Sequence, residues 1–428
     1  MKKIALFLDN SKIASVDCSN ILQGNPGIGG TECMIITIAT LLSMRDNGIS
    51  VDLYVLKKGI FPSELNVCVV DTFKEAVERV DTVYDYLIFK HDVAHIHDKS
   101  LENLKSDLKL IPWCHVFVCY WELDYYANNP FVSNIINVGR EMNDLYRDHK
   151  AFKKSNYIYN CLHIPDEIAF EPYEKRQNIV TYIGCIKPFK GFHLLAKAWP
   201  KVVKEIPDAQ LYVIGSGNLY DKTIKMGRYN IAEEMYENVF MHYLSQEGRV
   251  LPSVHFMGVL GEEKNKILAK TKVGVPNPSG ITETFGISAV EMQLMGARIA
   301  TMRCPGHIDT VKNGSLYHNA DELAQYIIEL LNSNHTDYTA ALEYFKKNFS
   351  YDSIVERWET LILKGTLSNE KITNPGYRLK FLKELLRRLK NVFPCFYKLP
   401  PIERILLFVE KRILRVDFRY IDSDFKFK

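Results

Sequence analysis

Glu283 and Glu291 stand eight positions apart with Phe285-Gly286 between them, and no other pair in the chain is better suited to chemistry. Carboxylates accept hydrogen bonds from hydroxyl groups. A ligand with hydroxyls at both ends and anions in the middle would engage both acids. A nucleotide-sugar has that layout: hexose, two phosphates, ribose. The flanking residues suit it too. An apolar run, Val273-Gly-Val-Pro276, comes before, and a helical pattern follows through Ile287, Val290, Met292, Leu294 and Met295 to Gly296. This reads as strand, loop, helix, with Gly286 where the helix starts. The free N–H groups and positive dipole end of a helix start favour phosphate. Eight helical residues rise about 12 Å, so the two acids can meet groups on either side of a bound diphosphate. The spacing alone also fits a loop acid and a solvated helix acid with no ligand.

Such a loop needs a sheet to hold it, and the chain carries the pattern of two. Short β-like runs alternate with helical periods, which argues for an α/β fold with parallel sheets. In the first half, residues 4–8, 51–56, 66–70, 87–89, 115–119, 135–138 and 157–159 read as strands, and residues 32–45 as a buried helix. A second cycle has strands at 179–183, 210–214, 254–257, 273–275 and 297–301, with helices starting near Gly191, Lys264, Gly286 and Ala320. Two doubly wound halves describe two facing Rossmann-like domains, with ligands at the carboxyl ends of the strands. The domains are placed at residues 1–163 and 164–363. A polar, turn-rich linker over 364–376 then leads into a basic tail ending at 428.

Composition agrees with this. The chain has 428 residues, 47% hydrophobic and 25% charged, enough for two core-bearing domains. No apolar stretch approaches the roughly 18 residues of a membrane span. Met1–Asp9 reads as a first strand rather than a signal peptide. The nine cysteines show no CxxC pair, so neither a zinc spacing nor a disulfide framework is expected, and reduced thiols in the cytoplasm are the simplest account.

The segment Glu283-Thr-Phe-Gly-Ile-Ser-Ala-Val-Glu291, led by Pro276-Asn-Pro-Ser-Gly280, resembles the hallmark of the family 4 retaining glycosyltransferases of GT-B fold. That hallmark is two glutamates separated by seven residues, usually with Phe-Gly after the first. The resemblance covers roughly residues 1–360 and is of the surface-polysaccharide type. It implies transfer of a hexose from a nucleotide diphosphate sugar, a UDP-sugar, to an acceptor hydroxyl, with retention and without a metal or cofactor. Glu283 would hold the hexose hydroxyls and Glu291 the ribose, with Phe285, Gly286 and Ile287 at the phosphates. Gly27-Ile-Gly-Gly-Thr-Glu32 matches the family's Gly-rich loop, which places Gly29 and Gly30 at the donor diphosphate or the acceptor. Lys190-Gly191 matches a diphosphate-neutralising lysine, and Lys190 otherwise reads as a surface lysine. Cys185 stands where the family usually has an arginine, and Lys187 is out of register to replace it. Gly215 belongs to a Gly-x-Gly turn lining the donor pocket, and Gly258 ends the strand whose following backbone receives the nucleobase. Gly306 is expected near the glutamate loop, with His307 at the surface. A histidine at about the place of His115 reaches the donor sugar in family members; the residue also reads as packed among aromatics. His91, His95 and His97 carry zinc-ligand types but have no fourth partner nearby.

The tail differs in kind. Residues 377–428 hold 14 Lys/Arg and 6 Asp/Glu, a net +8, while the first 376 residues hold 40 and 45, a net −5. Leu379, Leu382, Leu385, Leu386 and Leu389 form an apolar stripe among basic residues, and a second block runs over 402–418. A basic amphipathic helix reads as an element that lies on an anionic membrane, here through residues 377–420. The other reading is a helix pair packed on the body. Truncation after Gly365 is expected to leave a folded body. Nucleic acid is not expected as a partner, since no recognition motif accompanies the charge. The expected acceptor is a glycan or lipid-linked hydroxyl at the inner face of the membrane. A phosphorylase, an epimerase and a non-catalytic nucleotide-sugar-binding protein are the alternatives.

Overall fold

The computed structural model describes residues 1–165, 168–218, 223–334, 336–368, 380–393, 395, 396, 399, 402 and 405. The chain divides into two compact units. Among the described residues, the first takes Met1–Leu162 together with those from Phe349 to Ile405, and the second takes His163–Asn348.

In the first unit the order is β1 (Lys2–Leu8), α1 (Gly30–Ser43), β2 (Ile49–Val55), β3 (Asn66–Val69), α2 (Phe73–Val80), β4 (Tyr86–Lys90) and α3 (Val93–His97). It continues with β5 (Lys109–Cys114), α4 (Tyr120–Asn128), β6 (Ile135–Asn137), α5 (Arg140–Asp144) and β7 (Ser155–Tyr157). Among the described residues these strands form one sheet in the order β3-β2-β1-β4-β5-β6-β7, parallel throughout. A parallel sheet is covered on both faces, so its strands run apolar along their length. Ile4 to Leu8 are accordingly all buried, and so is most of α1.

The second unit runs β8 (Ile179–Ile183), α6 (Phe192–Glu205), β9 (Gln210–Ile214), α7 (Glu234–Leu244), the short hairpin β10 (Ser245–Gln246) and β11 (Arg249–Val250), and β12 (Val254–Gly258). Then come α8 (Lys264–Leu268), β13 (Val273–Gly274), α9 (Ile287–Leu294), β14 (Arg298–Met302), α10 (Pro305–Thr310), β15 (Gly314–Tyr317), α11 (Leu323–Asn332) and α12 (Tyr338–Phe349). The main sheet has the order β12-β9-β8-β13-β14-β15, again parallel. Phe192 anchors its core, packing edge-on against Tyr182 at 5.0 Å and Phe240 at 4.9 Å. The order reverses between β8 and β13, and a crevice forms at the carboxyl ends of strands flanking such a switch.

The structure differs from the sequence reading in several places. The strand expected at 115–119 is β5, six residues earlier. Pro112 lies inside it, and an internal proline argues against a central strand. The strand expected at 157–159 is β7, two residues earlier. β15 and α7 were not expected. The domain boundary also differs. After α12 the chain returns to the first unit as α13 (Tyr351–Lys364), whose buried Trp358 lies 4.9 Å from Trp113. Residues 351–363 therefore leave the second domain.

In the tail, the second of the two readings describes the first block, which forms α14 (Lys380–Val392) in the first unit. The helix docks by charge: Lys390 Nζ lies 2.7 Å from Asp148 Oδ2 and Arg387 Nη1 lies 3.5 Å from Asp144 Oδ2, all four side chains being buried. Leu385 and Leu389 are exposed, followed by Val392, Phe393 and Phe396. Two of the basic residues thus face the body while these leucines face out. The block at 402–418 lies outside the described residues apart from Ile402 and Ile405, as does most of the linker.

Candidate functional site

The site in the second unit is built on the two loops at the switch point. After β8 the chain passes Gly184 and Cys185, makes a single turn over Pro188–Lys190 and enters α6 through Gly191. After β13 it runs through Asn277–Phe285 into α9, capped by Gly286. Gly191 has φ +69°, and a Cβ there would lie 2.6 Å from the Ser279 backbone nitrogen. Only glycine lets the two loops touch. Ser279 fastens them, its hydroxyl donating to the Phe189 carbonyl at 2.7 Å.

This packing brings Lys190 to Glu283, Nζ to Oε2 at 2.9 Å. Asn277 Nδ2 donates to the same oxygen at 2.8 Å. Burial alone would push the Glu283 carboxyl up, but the charge of Lys190 and these hydrogen bonds hold it below its ordinary value. Behind the acid, the Gly306 N–H donates to the Glu283 carbonyl at 3.1 Å, and a Cβ at 306 would lie 2.7 Å from that oxygen. Gly306 packs near the glutamate loop as expected. His307 does not lie at the surface. It is fully buried, its Nδ1 is 2.8 Å from the Met302 carbonyl, and its ring backs onto Gly286. A polar residue at the start of a six-residue helix gave no sign of that burial.

Glu291 sits on the exposed side of α9 and pairs with Lys264, Nζ to Oε1 at 2.7 Å. Lys264 opens α8 and carries no motif, so sequence reasoning passed over it. Asn277 and Thr282 were missed for the same reason. Both hold positive φ, +33° and +58°, on either side of the turn that presents Glu283. The glycines close the floor. Gly215 N–H donates to the Gly258 carbonyl at 2.7 Å, and a Cβ on Gly215 would lie 2.0 Å from the Gly184 carbonyl. These three glycines end adjacent strands β8, β9 and β12. Cys185 is buried beside them. The structure therefore gathers Lys190, Gly215, Gly258, Glu283, Phe285, Gly286, Ile287 and Glu291 around one switch point.

Gly29, Gly30 and His115 belong to the first unit. Gly29 caps α1 and Gly30 is its first residue. His115 follows the last residue of β5, buried, with its ring 4.6 Å from Trp113. Burial, helped by Lys90, pushes its imidazole down to about 3, so it is neutral at pH 7. The histidines of the 91–97 segment disperse: His91 Nδ1 meets the Tyr126 hydroxyl at 2.7 Å, His95 stacks on Phe73, and His97 faces Trp121. His91 Nε2 also lies 3.3 Å from Glu122 Oε2.

The family match falls on the second unit, and the structural matches extend over most of the chain. Residues 177–333 match the family model described as glycosyl transferases group 1. Phosphatidyl-myo-inositol mannosyltransferase of Mycobacterium tuberculosis is 26% identical over 150 residues, 34% of this chain and 33% of that protein. The chain thus matches about a third of the length of the curated relative. Among solved structures, Anabaena HepE in complex with UDP and glucose superposes with a TM-score of 0.60 at 16% identity, covering 85% of this chain and 100% of that one. Sucrose-phosphate synthase from Thermosynechococcus elongatus gives 0.62 at 16% identity, covering 85% and 99%. The fold is GT-B: two Rossmann-like parallel-sheet domains.

Proposed function

We propose that the chain is a retaining glycosyltransferase that moves a hexose from a UDP-sugar to the hydroxyl of a glycan or lipid-linked acceptor. The observation that carries this is the pair of acids at the switch point, Glu283 held by Lys190 and Glu291 held by Lys264, flanking the start of α9. The group 1 match over the same residues supports glycosyl transfer, and the UDP bound in HepE supports the choice of donor.

The reaction must stabilise a leaving diphosphate and a developing oxocarbenium ion. Lys190 and the start of α9 at Phe285–Ile287 serve the diphosphate; there the Ile287 N–H donates to the Phe285 carbonyl at 3.0 Å. Glu283 accepts from the hexose hydroxyls and Glu291 from the ribose. Gly215 and Gly258 let the nucleotide approach the strand ends closely. Gly29 and Gly30 serve the acceptor side or the diphosphate, and His115, held neutral, offers a hydrogen bond to the sugar. No protein nucleophile is assigned; the leaving phosphate takes the acceptor proton. No metal is required, so turnover persists in excess chelator.

The tail reads as a lipid-facing element on a peripheral, cytoplasmic enzyme of surface-polysaccharide assembly. The exposed Leu385, Leu389, Phe393 and Phe396 and the net charge of the tail support that reading. Among the described residues no helix is long and apolar enough to cross a membrane.

A panel of nucleotide-sugars screened for thermal stabilisation tests the donor assignment. A UDP-hexose should raise the melting temperature, and Glu291→Ala should remove most of the gain, because a hydrogen bond to a charged group contributes about 1.5–3 kcal/mol. No stabilisation by any nucleotide-sugar would overturn the reading.

A further inference from the structure

We propose that Lys264 is the second cation of the donor site and carries the charge that Cys185 lacks. This rests on the reading of the switch-point pocket as a nucleotide-sugar site. Each of the two acids there already holds a lysine: Lys190 Nζ is 2.9 Å from Glu283 and Lys264 Nζ is 2.7 Å from Glu291. The four charges cancel. A sugar-linked diphosphate adds two negative charges to that set. Cys185, where the family resemblance implies an arginine, is 2% exposed and brings no cation.

Lys264 is placed to answer that need. It opens α8 after the turn that follows Gly258, and its ammonium reaches Glu291 on α9. Its side chain is 18% exposed and that of Glu291 is 24% exposed, so the pair is shielded yet reachable by a ligand. A lysine ammonium is a compact charge on a flexible four-carbon stem. When ribose hydroxyls take the oxygens of Glu291, the ammonium loses part of its carboxylate. The next anion within its reach is the phosphate carried by that same ribose. Glu291 exchanges an ammonium for hydroxyls, and Lys264 exchanges a carboxylate for a phosphate. The exchange makes Lys264 a sensor of phosphate rather than of nucleoside. A lysine that merely blocked Glu291 would behave in the opposite way, since its removal would free the acid and tighten every ligand bearing a ribose.

The test is binding to the full chain. UDP and UMP are titrated by calorimetry, and uridine is measured by ligand-observed NMR, for the wild type, Lys264→Met and Lys264→Arg. Lys264→Met should weaken UDP and UMP by about tenfold or more, as expected for a charge-assisted contact, while uridine binds at least as well as before. Lys264→Arg should keep most of the UDP affinity. Unchanged or tighter UDP binding by Lys264→Met overturns the proposal, and so does an equal loss of UDP and uridine. If the wild type binds neither UDP nor UMP, the donor-site reading fails, and this proposal falls with it.

Discussion

Glu283 is where local cost and function meet. Its carboxylate is 9% exposed and would be unstable as a charge there without Lys190 and Asn277. The residue before it, Thr282, holds φ +58°, a region that β-branched residues rarely enter. Such positions cost about 1–3 kcal/mol and persist where the surroundings over-determine them. Here the surroundings are the Asn277 side chain and the Gly306 N–H. The lowered carboxyl value has a consequence for stability. A group whose folded value lies below its unfolded value stabilises the fold above the unfolded value, about 4.3 for glutamate, and that contribution is lost as pH falls through the folded value. The wild-type melting temperature should therefore drop more steeply between pH 5 and 3 than that of Glu283→Gln. Burial pushes His115 and His95 down to about 3 and about 4, which lowers stability below about pH 6.5 in both proteins and cancels in the comparison. Parallel melting curves in the two proteins would mean that Lys190 does not hold the acid. Lys190→Ala should also reduce turnover by about 10²-fold or more, the usual cost of removing a fixed donor from developing charge. Lys187→Ala should change it little, and equal losses would contradict the assignment.

At the scale of elements, the site depends on two loops packing without side chains between them. Gly191→Ala adds a Cβ 2.6 Å from Ser279 N and forces an L-residue to φ +69°. The left-handed conformation alone costs about 1–2 kcal/mol, and the displaced Ser279 loop carries Asn277 with it. Donor affinity should fall together with thermal stability; a variant that melts lower but binds donor normally would uncouple the loop contact from the site. Much of this was legible in the sequence. β8 and β9 lie where the apolar runs put them, and α9 begins one residue after Gly286. Glycine-marked turns and buried parallel strands leave strong local traces. β5 left a misleading one because of Pro112, and β15 is a four-residue edge strand opened by Gly314. Lys264 was invisible because its importance lies in a partner 27 positions away. His307 was misread because burial under a loop is set by tertiary packing, not by local pattern.

At the scale of the molecule, the chain returns to its first unit after the second is complete, and α13 and α14 cover that unit from the far end of the sequence. The domain boundary read from sequence could not foresee this, since linear pattern does not record which sheet a late helix joins. α14 is fixed by buried charge. Removing one partner of a buried pair leaves the other uncompensated and costs about 3–5 kcal/mol. Lys390→Met should destabilise the protein by about that amount, and Asp148→Asn in the same chain should recover part of it. No change in either variant would mean that α14 does not dock through these residues. The same pairs argue against the expectation that truncation after Gly365 leaves the body intact, since Asp148 would lose both Lys390 and the Ile402 N–H. The central claim is that the switch point of the second sheet binds a nucleotide diphosphate sugar. A crystal structure of the chain with UDP tests it most directly. The account predicts ribose hydroxyls on Glu291 and the diphosphate within hydrogen-bonding distance of Lys190 Nζ and the N–H groups at Phe285–Ile287. A nucleotide bound away from the loops after β8 and β13, with Glu291 turned from the ribose, would contradict it.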